Sequence, residues 1–430
     1  MTSHTVSRRQ FLGGVAGAAL AGPTWLTSSL SGQQNSGPNE RINLGFIGVG
    51  TMGRGHLNSF LGFGDVQVVA VCDVVAERRD DAKRIVESRY AEQMKKGTYQ
   101  GCAAYNDFRE LLDRQDIDAV VISTPDHWHA IPCVLAARAG KDIYCEKPLT
   151  LAIAQGRKIV AAVQEHKIVF QTGSQQRSEF GGKFRLAAEL VRNGRIGKVK
   201  TIRIGVGGPA MACNLPEQPV PVGTDWNLWL GPAPMRGYHE ELCPKGIHKH
   251  FPAWRRYKEY AGGGLADMGA HHFDIAQWAL DMDNSGPVRI EPPTSNASSG
   301  LRFVYANGVE MFHGGPSGCT FEGTEGTIYV DRGKIESTPA DILQQPLGEK
   351  DVRLYLSTNH RRNWLDCIRD RQQPICTAEI GHRSATVCHL GNIGYWLRRP
   401  LRWDPVKERF VDDAEANQEV DRELRQPWQL

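Results

Sequence analysis

Residues 42–53 read Ile-Asn-Leu-Gly-Phe-Ile-Gly-Val-Gly-Thr-Met-Gly, an apolar run that leads directly into a glycine turn. In this G-x-G-x-x-G pattern, Gly48 permits a tight turn and Gly50 lets backbone amides approach a pyrophosphate. Gly53 lets the following helix, whose N-terminus attracts anions, pack close to the strand. The turn therefore predicts a dinucleotide site. Its expected cofactor contacts are Gly48, Gly50, Thr51, Met52 and Gly53.

Asp73 closes a second apolar run, Val66–Cys72, and stands twenty residues beyond the last glycine of the turn. A carboxylate at this place accepts hydrogen bonds from the adenosine ribose hydroxyls and repels a 2′-phosphate. The sequence therefore favours NAD as the cofactor. Arg78 and Arg79 follow within six residues and keep NADP open as the alternative.

Strand-like and helix-like stretches alternate through the rest of the first half. Strands are expected at 119–123, 141–145 and 168–173, with helical patterns at 130–139 and 151–166. The alternation predicts an α/β domain with a doubly wound, mostly parallel sheet over residues 41–174. Its ligand should lie at the carboxyl ends of the strands.

Two loops leave those strand ends and should face the cofactor. The first reads Ser-Thr-Pro-Asp-His-Trp-His over 123–129, and the second reads Glu-Lys-Pro-Leu over 146–149. A lysine taken alone is more often solvated than catalytic, but Lys147 directly follows an apolar strand, which favours a place in the site. The contacts expected from these loops are Thr124, Pro125, His129, Glu146 and Lys147.

Residues 175–430 carry a different pattern, which is richer in strands. A helix is expected over 180–193, and strands at 198–206, 301–305, 309–313 and 326–331. A second domain built on a strand-rich layer follows from this pattern.

The segment 262–278 holds the most informative polar residues. On one helix, Asp267, His271 and Asp274 would be spaced i, i+4 and i+7 and would share a face. Acids beside a histidine stabilise its imidazolium form and orient the ring, which suits a proton acceptor near neutral pH. The alternative from spacing alone is an amphipathic helix with an ordinary polar stripe.

Further substrate contacts are expected after a strand end and in the Pro/Gly-rich region 207–261. With Asp267 and His271, the expected substrate-binding set comprises Gln176, Arg177, Trp254 and Arg255. A metal site is not expected, because the histidine pairs at 248–250 and 271–272 have no cysteine partner and no His-Glu-x-x-His spacing.

Composition and the N-terminus indicate the cellular setting. With 51 Lys and Arg against 48 Asp and Glu, the net charge is +3, and nucleic acid is a poor candidate partner. The stretch Ser-Arg-Arg-Gln-Phe-Leu over 7–12 resembles a twin-arginine export signal, and the apolar part after it is too short for a permanent membrane anchor. We expect residues 1–40 to be signal and spacer, and the protein to reach the periplasm or an equivalent compartment. The alternative is a tail with two chance arginines.

The motif set resembles the Gfo/Idh/MocA oxidoreductase family. The matching motifs are the glycine turn, Thr124-Pro125 with His129, Glu146-Lys147-Pro148, and Asp267-x-x-x-His271-x-x-Asp274. The resemblance implies a Rossmann domain, then an α+β domain with a large open, mostly antiparallel sheet through which a dimer or tetramer forms. It also implies that the C-terminal region partly returns to the cofactor domain. By resemblance, His271 is the acid/base, Asp267 a substrate-binding partner and Lys147 a donor to the reacting hydroxyl.

The function implied is NAD(P)-dependent hydride transfer between nicotinamide and a hydroxyl-bearing carbon of a sugar, polyol or glycoside. Export would remove the protein from the nicotinamide pool of the cytoplasm. Two redox-neutral alternatives therefore stay open, an NAD-dependent glycosidase and a sugar transhydrogenase, each with tightly bound cofactor. An alternative of another class is a non-catalytic sugar-binding or sensing protein.

Overall fold

Six parallel strands form the first sheet, in the order β3-β2-β1-β4-β5-β6. In this computed structural model, which describes residues 41–430, the strands are β1 (Ile42–Ile47), β2 (Val66–Cys72), β3 (Ala103–Tyr105), β4 (Ala119–Ile122), β5 (Asp142–Cys145) and β6 (Phe170–Thr172). The Val, Ile and Ala side chains of β1, β2, β4 and β5 are buried on both faces, as in a sheet covered by helices on each side, whereas the edge strand β3 is only half-buried. The expected signal and spacer, residues 1–40, lie outside the described residues.

Helices connect these strands and cover both faces of the sheet. They are α1 (Thr51–Phe60), α2 (Ala76–Arg89), α3 (Ala91–Lys95), α4 (Phe108–Leu112), α5 (Ala130–Arg138) and α6 (Ile153–Glu165). The strand order changes direction at β1, where a doubly wound sheet opens a ligand crevice at the carboxyl ends of its strands. The predicted parallel sheet is confirmed.

The second sheet has eight strands and is mostly antiparallel, which confirms the predicted fold class. Its order is β12-β11-β10-β9-β8-β13-β14, with β7 paired to β10. The strands are β7 (Val199–Gly205), β8 (Arg289–Glu291), β9 (Arg302–Val304), β10 (Glu310–Gly323), β11 (Thr327–Val330), β12 (Ile335–Thr338), β13 (Leu401–Asp404) and β14 (Arg409–Phe410).

Strand β10 is much longer than the expected strand over 309–313, because it bends and continues. Gly314 and Gly315 adopt φ values of +139° and +101° at the bend, which only glycine accommodates easily. Ile202 of β7 consequently pairs with Met311 on one arm and with Phe321 on the other. The glycine pair interrupts the two-residue alternation of apolar and polar side chains. The strand predicted from the sequence therefore covers only the first arm of β10.

The helices of the second half link the two sheets. They are α7 (Lys183–Arg192), α8 (Trp226–Leu230), α9 (Gly263–Asp267), α10 (Gly269–Ala279), α11 (His360–Asp370), α12 (Ala378–Leu397) and α13 (Ala414–Gln418). On α10, Phe273 packs on Phe303 of the second sheet, with ring centroids 5.5 Å apart. On α11, the buried Trp364 packs instead on Phe60 and Tyr144 of the first domain, each 5.7 Å away. Within residues 41–430, no helix is both long and apolar enough to cross a membrane.

Candidate functional site

The glycine turn after β1 forms the floor of a cleft at the carboxyl ends of the parallel strands. Gly48 has a φ of +84°, and a Cβ on Gly53 would lie 2.0 Å from the Gly48 carbonyl oxygen. Gly50 precedes α1 without a side-chain cap from any described residue, and a Cβ there would meet no described atom within 4 Å. Backbone N–H groups at the start of α1 are therefore available to an anion such as a pyrophosphate.

This dinucleotide cleft, open to solvent, encloses about 850 Å³ of empty space, part of which is bulk solvent. Several expected cofactor residues line it, among them Gly48, Gly50, Thr51, Met52, Asp73, Thr124 and Pro125. The Asp73 carboxylate is fixed by hydrogen bonds from the backbone N–H groups of Val49 and Val75, both 2.9 Å long. The cleft thus offers an anion-binding turn and, at the end of β2, an oriented carboxylate, which together fit NAD.

The two arginines after Asp73 are engaged by protein atoms. Arg78 is buried and its Nε donates to the carbonyl oxygen of Gly246 at 2.9 Å. Arg79 donates to the Asp73 carbonyl oxygen at 3.0 Å and to Asn106 at 3.1 Å. Both guanidinium groups are thus already hydrogen-bonded to protein atoms, which weighs against a role in binding the 2′-phosphate of NADP.

A second cleft, here called the reaction cleft, adjoins the first and encloses about 1080 Å³ of empty space, part of which is bulk solvent. Met52, Thr124, Trp254 and Arg255 line both clefts, so they form one continuous groove. The three residues expected to be catalytic, Lys147, Asp267 and His271, all line the reaction cleft.

Lys147 and Asp267 form an ion pair between the two domains. The Lys147 Nζ lies 2.7 Å from Oδ1 of Asp267 and also donates to its backbone carbonyl oxygen at 2.6 Å. Burial alone would raise the pKa of Asp267, but the charges of Lys147 and Arg255 hold it below its usual value. The carboxylate is therefore ionised and keeps the Lys147 amine at the edge of the groove.

His271 lies beside this pair with its ring buried. Burial first, and then the positive charges of Lys147 and Arg332, hold the pKa of His271 well below its usual value. This differs from the expectation that neighbouring acids would stabilise imidazolium. Within the described part of the chain, Nδ1 of His271 has no hydrogen-bond partner. A neutral imidazole of this kind is ready to accept a proton.

The three residues expected on one helical face are divided by the structure. Asp267 ends α9, whereas His271 and Asp274 belong to α10, with Met268 between the helices. The Asp274 carboxylate is fully buried and pairs at 2.8 Å with Arg177, which also pairs with Asp283. Arg177, expected as a substrate contact, is buried, and this ion-pair network occupies its guanidinium and holds α10 in place.

His129 and Gln176, expected as direct contacts of cofactor and substrate, are buried and form hydrogen bonds with neighbouring protein atoms. The ring nitrogens of His129 lie 2.8 Å from the Pro148 carbonyl oxygen and 2.9 Å from that of Thr124, so the ring ties together the two loops of the parallel sheet. The Gln176 amide donates to the backbone oxygen of His271 at 3.3 Å. Both residues position neighbours that line the reaction cleft.

Glu146 also has a positioning role, although it lines the reaction cleft. Its carboxylate accepts hydrogen bonds from His56 at 2.7 Å and Gln175 at 2.8 Å. Burial would raise the pKa of Glu146, but the hydrogen bond and charge of His56, with the charge of Lys147, hold it at about 2. The ionised carboxylate fixes the loop from which Lys147 extends.

The structure adds cleft residues that the sequence analysis did not select, chiefly Asp126 and Arg332. Asp126 is buried, and this burial, followed by the nearby Asp267 carboxylate, raises its pKa to about 8. Its position directly after Thr124-Pro125 was an available signal. Arg332 comes from the turn between β11 and β12, and only tertiary structure brings it to the cleft. Among residues 41–430, no group of three or more His, Cys, Asp or Glu side chains could hold a metal ion.

Comparison with known proteins finds relatives in sequence and solved structures with the same fold. Myo-inositol 2-dehydrogenase from Thermotoga maritima is 29% identical over 345 residues, which cover 76% of this chain and 86% of that protein. Alpha-N-acetylgalactosaminidase from Shewanella oneidensis is 31% identical over 218 residues, or 46% of this chain and 45% of that protein. The WlbA dehydrogenase of Bordetella pertussis, solved with NADH and UDP-GlcNAcA, has the same fold, with a TM-score of 0.60, 16% identity and coverage of 85% of this chain and 99% of that one.

Two family models match almost the whole described chain. Residues 42–174 match the NAD-binding Rossmann fold of the oxidoreductase family, and residues 210–430 match its C-terminal alpha/beta domain. The parallel sheet, the glycine turn and the oriented Asp73 are what an NAD-binding domain requires. The chain is therefore a member of the Gfo/Idh/MocA family, an oxidoreductase with an NAD-binding Rossmann domain.

Proposed function

We propose that this oxidoreductase moves a hydride between NAD and a hydroxyl-bearing carbon of a sugar or polyol. The observation that carries the proposal is that Lys147, Asp267 and His271 meet in the reaction cleft, which opens into the dinucleotide cleft. The names of the relatives, a myo-inositol dehydrogenase and a dehydrogenase bound to a sugar nucleotide, agree with such a substrate.

In the oxidation direction, NAD supplies the hydride acceptor when it is bound. His271 takes the hydroxyl proton on its neutral ring. Lys147 donates a hydrogen bond to the same oxygen and stabilises the negative charge that develops there. Asp267 keeps the lysine in place and can accept a hydrogen bond from a neighbouring hydroxyl. The reduction direction uses the same groups in reverse.

The test is absorbance of reduced nicotinamide after adding a panel of sugars and polyols to the NAD-loaded protein. We expect reduction with at least one compound, and its loss in His271→Asn. His166→Asn is the matched control, because His166 lies between α6 and β6 at the amino ends of the parallel strands, whereas the clefts lie at their carboxyl ends. If no compound in the panel reduces the bound NAD and no product forms, the hydride-transfer proposal fails.

The preference for NAD over NADP rests on Asp73, which lies in the dinucleotide cleft with its carboxylate fixed by two backbone amides. A 2′-phosphate beside this carboxylate would be repelled. Titration of the purified protein should give a lower Kd for NAD than for NADP. Asp73→Ser should reduce the difference between these two Kd values. Tighter binding of NADP by the unchanged protein would contradict the preference.

A redox-neutral reaction, either glycosidase or sugar transhydrogenase, is the second candidate. It is favoured by residues 244–252, here called the strap, which contribute His248 and Pro252 to the dinucleotide cleft. The strap is held by Arg78 and by Thr51, whose hydroxyl donates to the His250 carbonyl oxygen at 2.9 Å. A covered cofactor would stay on the protein between turnovers, as a redox-neutral cycle requires.

Product analysis separates the candidates. Cleavage of a glycoside without accumulation of reduced nicotinamide supports the glycosidase, to which the Shewanella oneidensis relative points by name. Reduction by one sugar and reoxidation by another supports the transhydrogenase. Sugar affinity that survives His271→Asn, with no turnover by either protein, would point to a sensing protein.

We also propose export and self-association as the setting of this activity. The twin-arginine motif at Arg8 and Arg9 supports export, and the change of both residues to lysine should retain the protein in the cytoplasm. The outer face of the second sheet, where Thr201 and exposed Arg203 of β7 alternate with the buried Ile202 and Ile204, is the candidate dimer or tetramer surface. Light scattering coupled to size exclusion gives the number of subunits, and a monomer would contradict self-association.

A further inference from the structure

Arg332 differs from the other basic side chains of the reaction cleft. Among the described residues, no carboxylate lies within ion-pair distance of its guanidinium. The other three cleft bases each have an acidic partner: Lys147 with Asp267 at 2.7 Å, Arg255 with Asp267 at 3.7 Å, and Arg361 with Glu179 at 3.3 Å. Arg332 thus has no direct ion-pair partner, and the carboxylates of Glu179, Asp267 and Glu146 act on its charge only from a greater distance.

The orientation of Arg332 is nevertheless fixed by two contacts. Its Nε donates to Oε1 of Gln176 at 3.0 Å, and its guanidinium carbon lies 4.9 Å from the ring centroid of Phe180. Gln176 is 1% exposed, and its own amide nitrogen donates to the backbone oxygen of His271. The same glutamine therefore connects Arg332 to the helix that carries the proposed base.

These contacts use one nitrogen and one face of the guanidinium. Neither terminal Nη group of Arg332 has a hydrogen-bond partner in the part of the chain that the structure describes. Two parallel N–H donors on a planar group match the two oxygens of a carboxylate. Arg332 is exposed, so its Nη groups face the solvent of the cleft and are free to bind a ligand.

The charge balance of the reaction cleft indicates the charge of the ligand. The charged side chains are four bases, Lys147, Arg255, Arg332 and Arg361, and four acids, Asp126, Glu146, Glu179 and Asp267. Asp126, with its pKa raised to about 8 by burial and by Asp267, is protonated at neutral pH. One positive charge is therefore in excess, which a single anionic group would neutralise.

We propose that the substrate is a sugar acid, whose carboxylate binds Arg332 while the reacting hydroxyl lies at Lys147 and His271. A phosphorylated sugar fits less well, because a dianion would approach the ionised Glu146 and Asp267 as well as Arg332. This inference rests on the proposed function and specifies its substrate class.

The experiment compares matched pairs that differ in one carboxylate: glucuronate with glucose, galacturonate with galactose, and gluconate with glucitol. Binding to the full, NAD-loaded protein is measured by calorimetry, and turnover by absorbance of reduced nicotinamide. We expect the acid of at least one pair to bind about tenfold or more tighter than its neutral partner. Arg332→Gln should abolish this difference, and Arg332→Lys should restore only part of it.

Lys334→Gln is the matched control, because Lys334 lies in the same turn, pairs with Glu336 and is not among the residues that line the reaction cleft. It should leave the preference for the acid unchanged, and all three variants should bind NAD as the unchanged protein does. If neutral sugars bind and react as well as the acids, or if Arg332→Gln keeps the preference, the inference is overturned while the proposed function stands. Glucose 6-phosphate binding tighter than glucuronate would also overturn it. If no member of any pair binds or reacts, the proposed function fails with it.

Discussion

At the scale of single residues, burial sets the protonation state of the proposed base. His271 is buried beside Lys147, and both effects lower its pKa, so the ring stays neutral well below pH 6.5. A neutral base is active without prior loss of a proton. We therefore expect the acidic limb of the kcat/KM profile to fall below pH 6.5, and kcat to drop about 10²- to 10⁴-fold in His271→Asn. An acidic limb above pH 7 in the kcat/KM profile would contradict the assignment of His271 as a base that is neutral at lower pH.

Asp126 should make the protein less stable as the pH rises. Its unfolded pKa is 3.8 and burial raises the folded value to about 8, so between these values the folded state holds a proton that the unfolded state has lost. The free energy of unfolding contributed by Asp126 therefore falls from about pH 4 to about pH 8.

Asp126→Asn removes this titration, because the amide cannot ionise. We expect its Tm, compared with that of the unchanged protein, to rise more at pH 8.5 than at pH 5 in thermal denaturation. Asp80→Asn is the control, since the Asp80 side chain is 69% exposed. An equal change of Tm at both pH values in Asp126→Asn would show that Asp126 is already ionised in the folded protein.

At the scale of elements, the strap depends on a residue that lies far from it in sequence. Arg78 on α2 is separated by 168 residues from Gly246, whose carbonyl oxygen it binds, and it also donates to the Pro244 carbonyl oxygen. We expect Arg78→Ala to free the strap and to raise the NAD dissociation rate about tenfold to a hundredfold, the value of a lost charge-assisted hydrogen bond.

Limited proteolysis distinguishes strap release from loss of a direct cofactor contact. Without added NAD, trypsin should cut Arg78→Ala at Lys245 or Lys249 faster than it cuts the unchanged protein. Arg84→Ala, on the same helix with a side chain 70% exposed, should behave as the unchanged protein in both measurements. Faster NAD release with no change in cleavage would mean that Arg78 holds the cofactor itself.

The elements differ in how far the sequence determines them. The glycine turn and Asp73 could be predicted because they belong to a strand, a turn, a helix and a second strand that follow one another directly. The spacing that defines this motif is therefore visible in the sequence. The strap and the bend of β10 could not be predicted, since their partners lie on distant segments. The prediction that Asp267 and Asp274 share one helical face failed for another reason. Helix α9 ends at Asp267, and residue spacing alone does not show that the chain breaks between two short helices.

At the scale of the molecule, an ion-pair network joins the two domains away from the groove. Arg157 on α6 binds Glu379 at the start of α12 and Glu408 in the turn between β13 and β14. Glu408 also accepts a hydrogen bond from His382 at 2.6 Å. Arg157 belongs to the first domain and Glu379, His382 and Glu408 to the second, so the network forms only when both domains are folded and docked.

Loss of Glu408 should therefore destabilise the whole chain. Burial would raise the pKa of Glu408, but hydrogen bonds from Arg157 and His382 hold it well below 4.5, so its contribution is present above pH 4.5 and is lost as the pH falls through the folded value. We expect Glu408→Gln to lower the free energy of unfolding at pH 7 by about 1 to 3 kcal/mol, because it leaves Arg157, whose side chain is 36% exposed, with Glu379 alone in a half-buried site. Chemical denaturation should show that the difference in unfolding free energy between Glu408→Gln and the unchanged protein becomes smaller below pH 4.5.

The control is Glu415→Gln. The Glu415 side chain is 67% exposed, so this change should lower the free energy of unfolding by less than about 1 kcal/mol. An equal loss in both variants would mean that the network adds nothing to the docking of the domains.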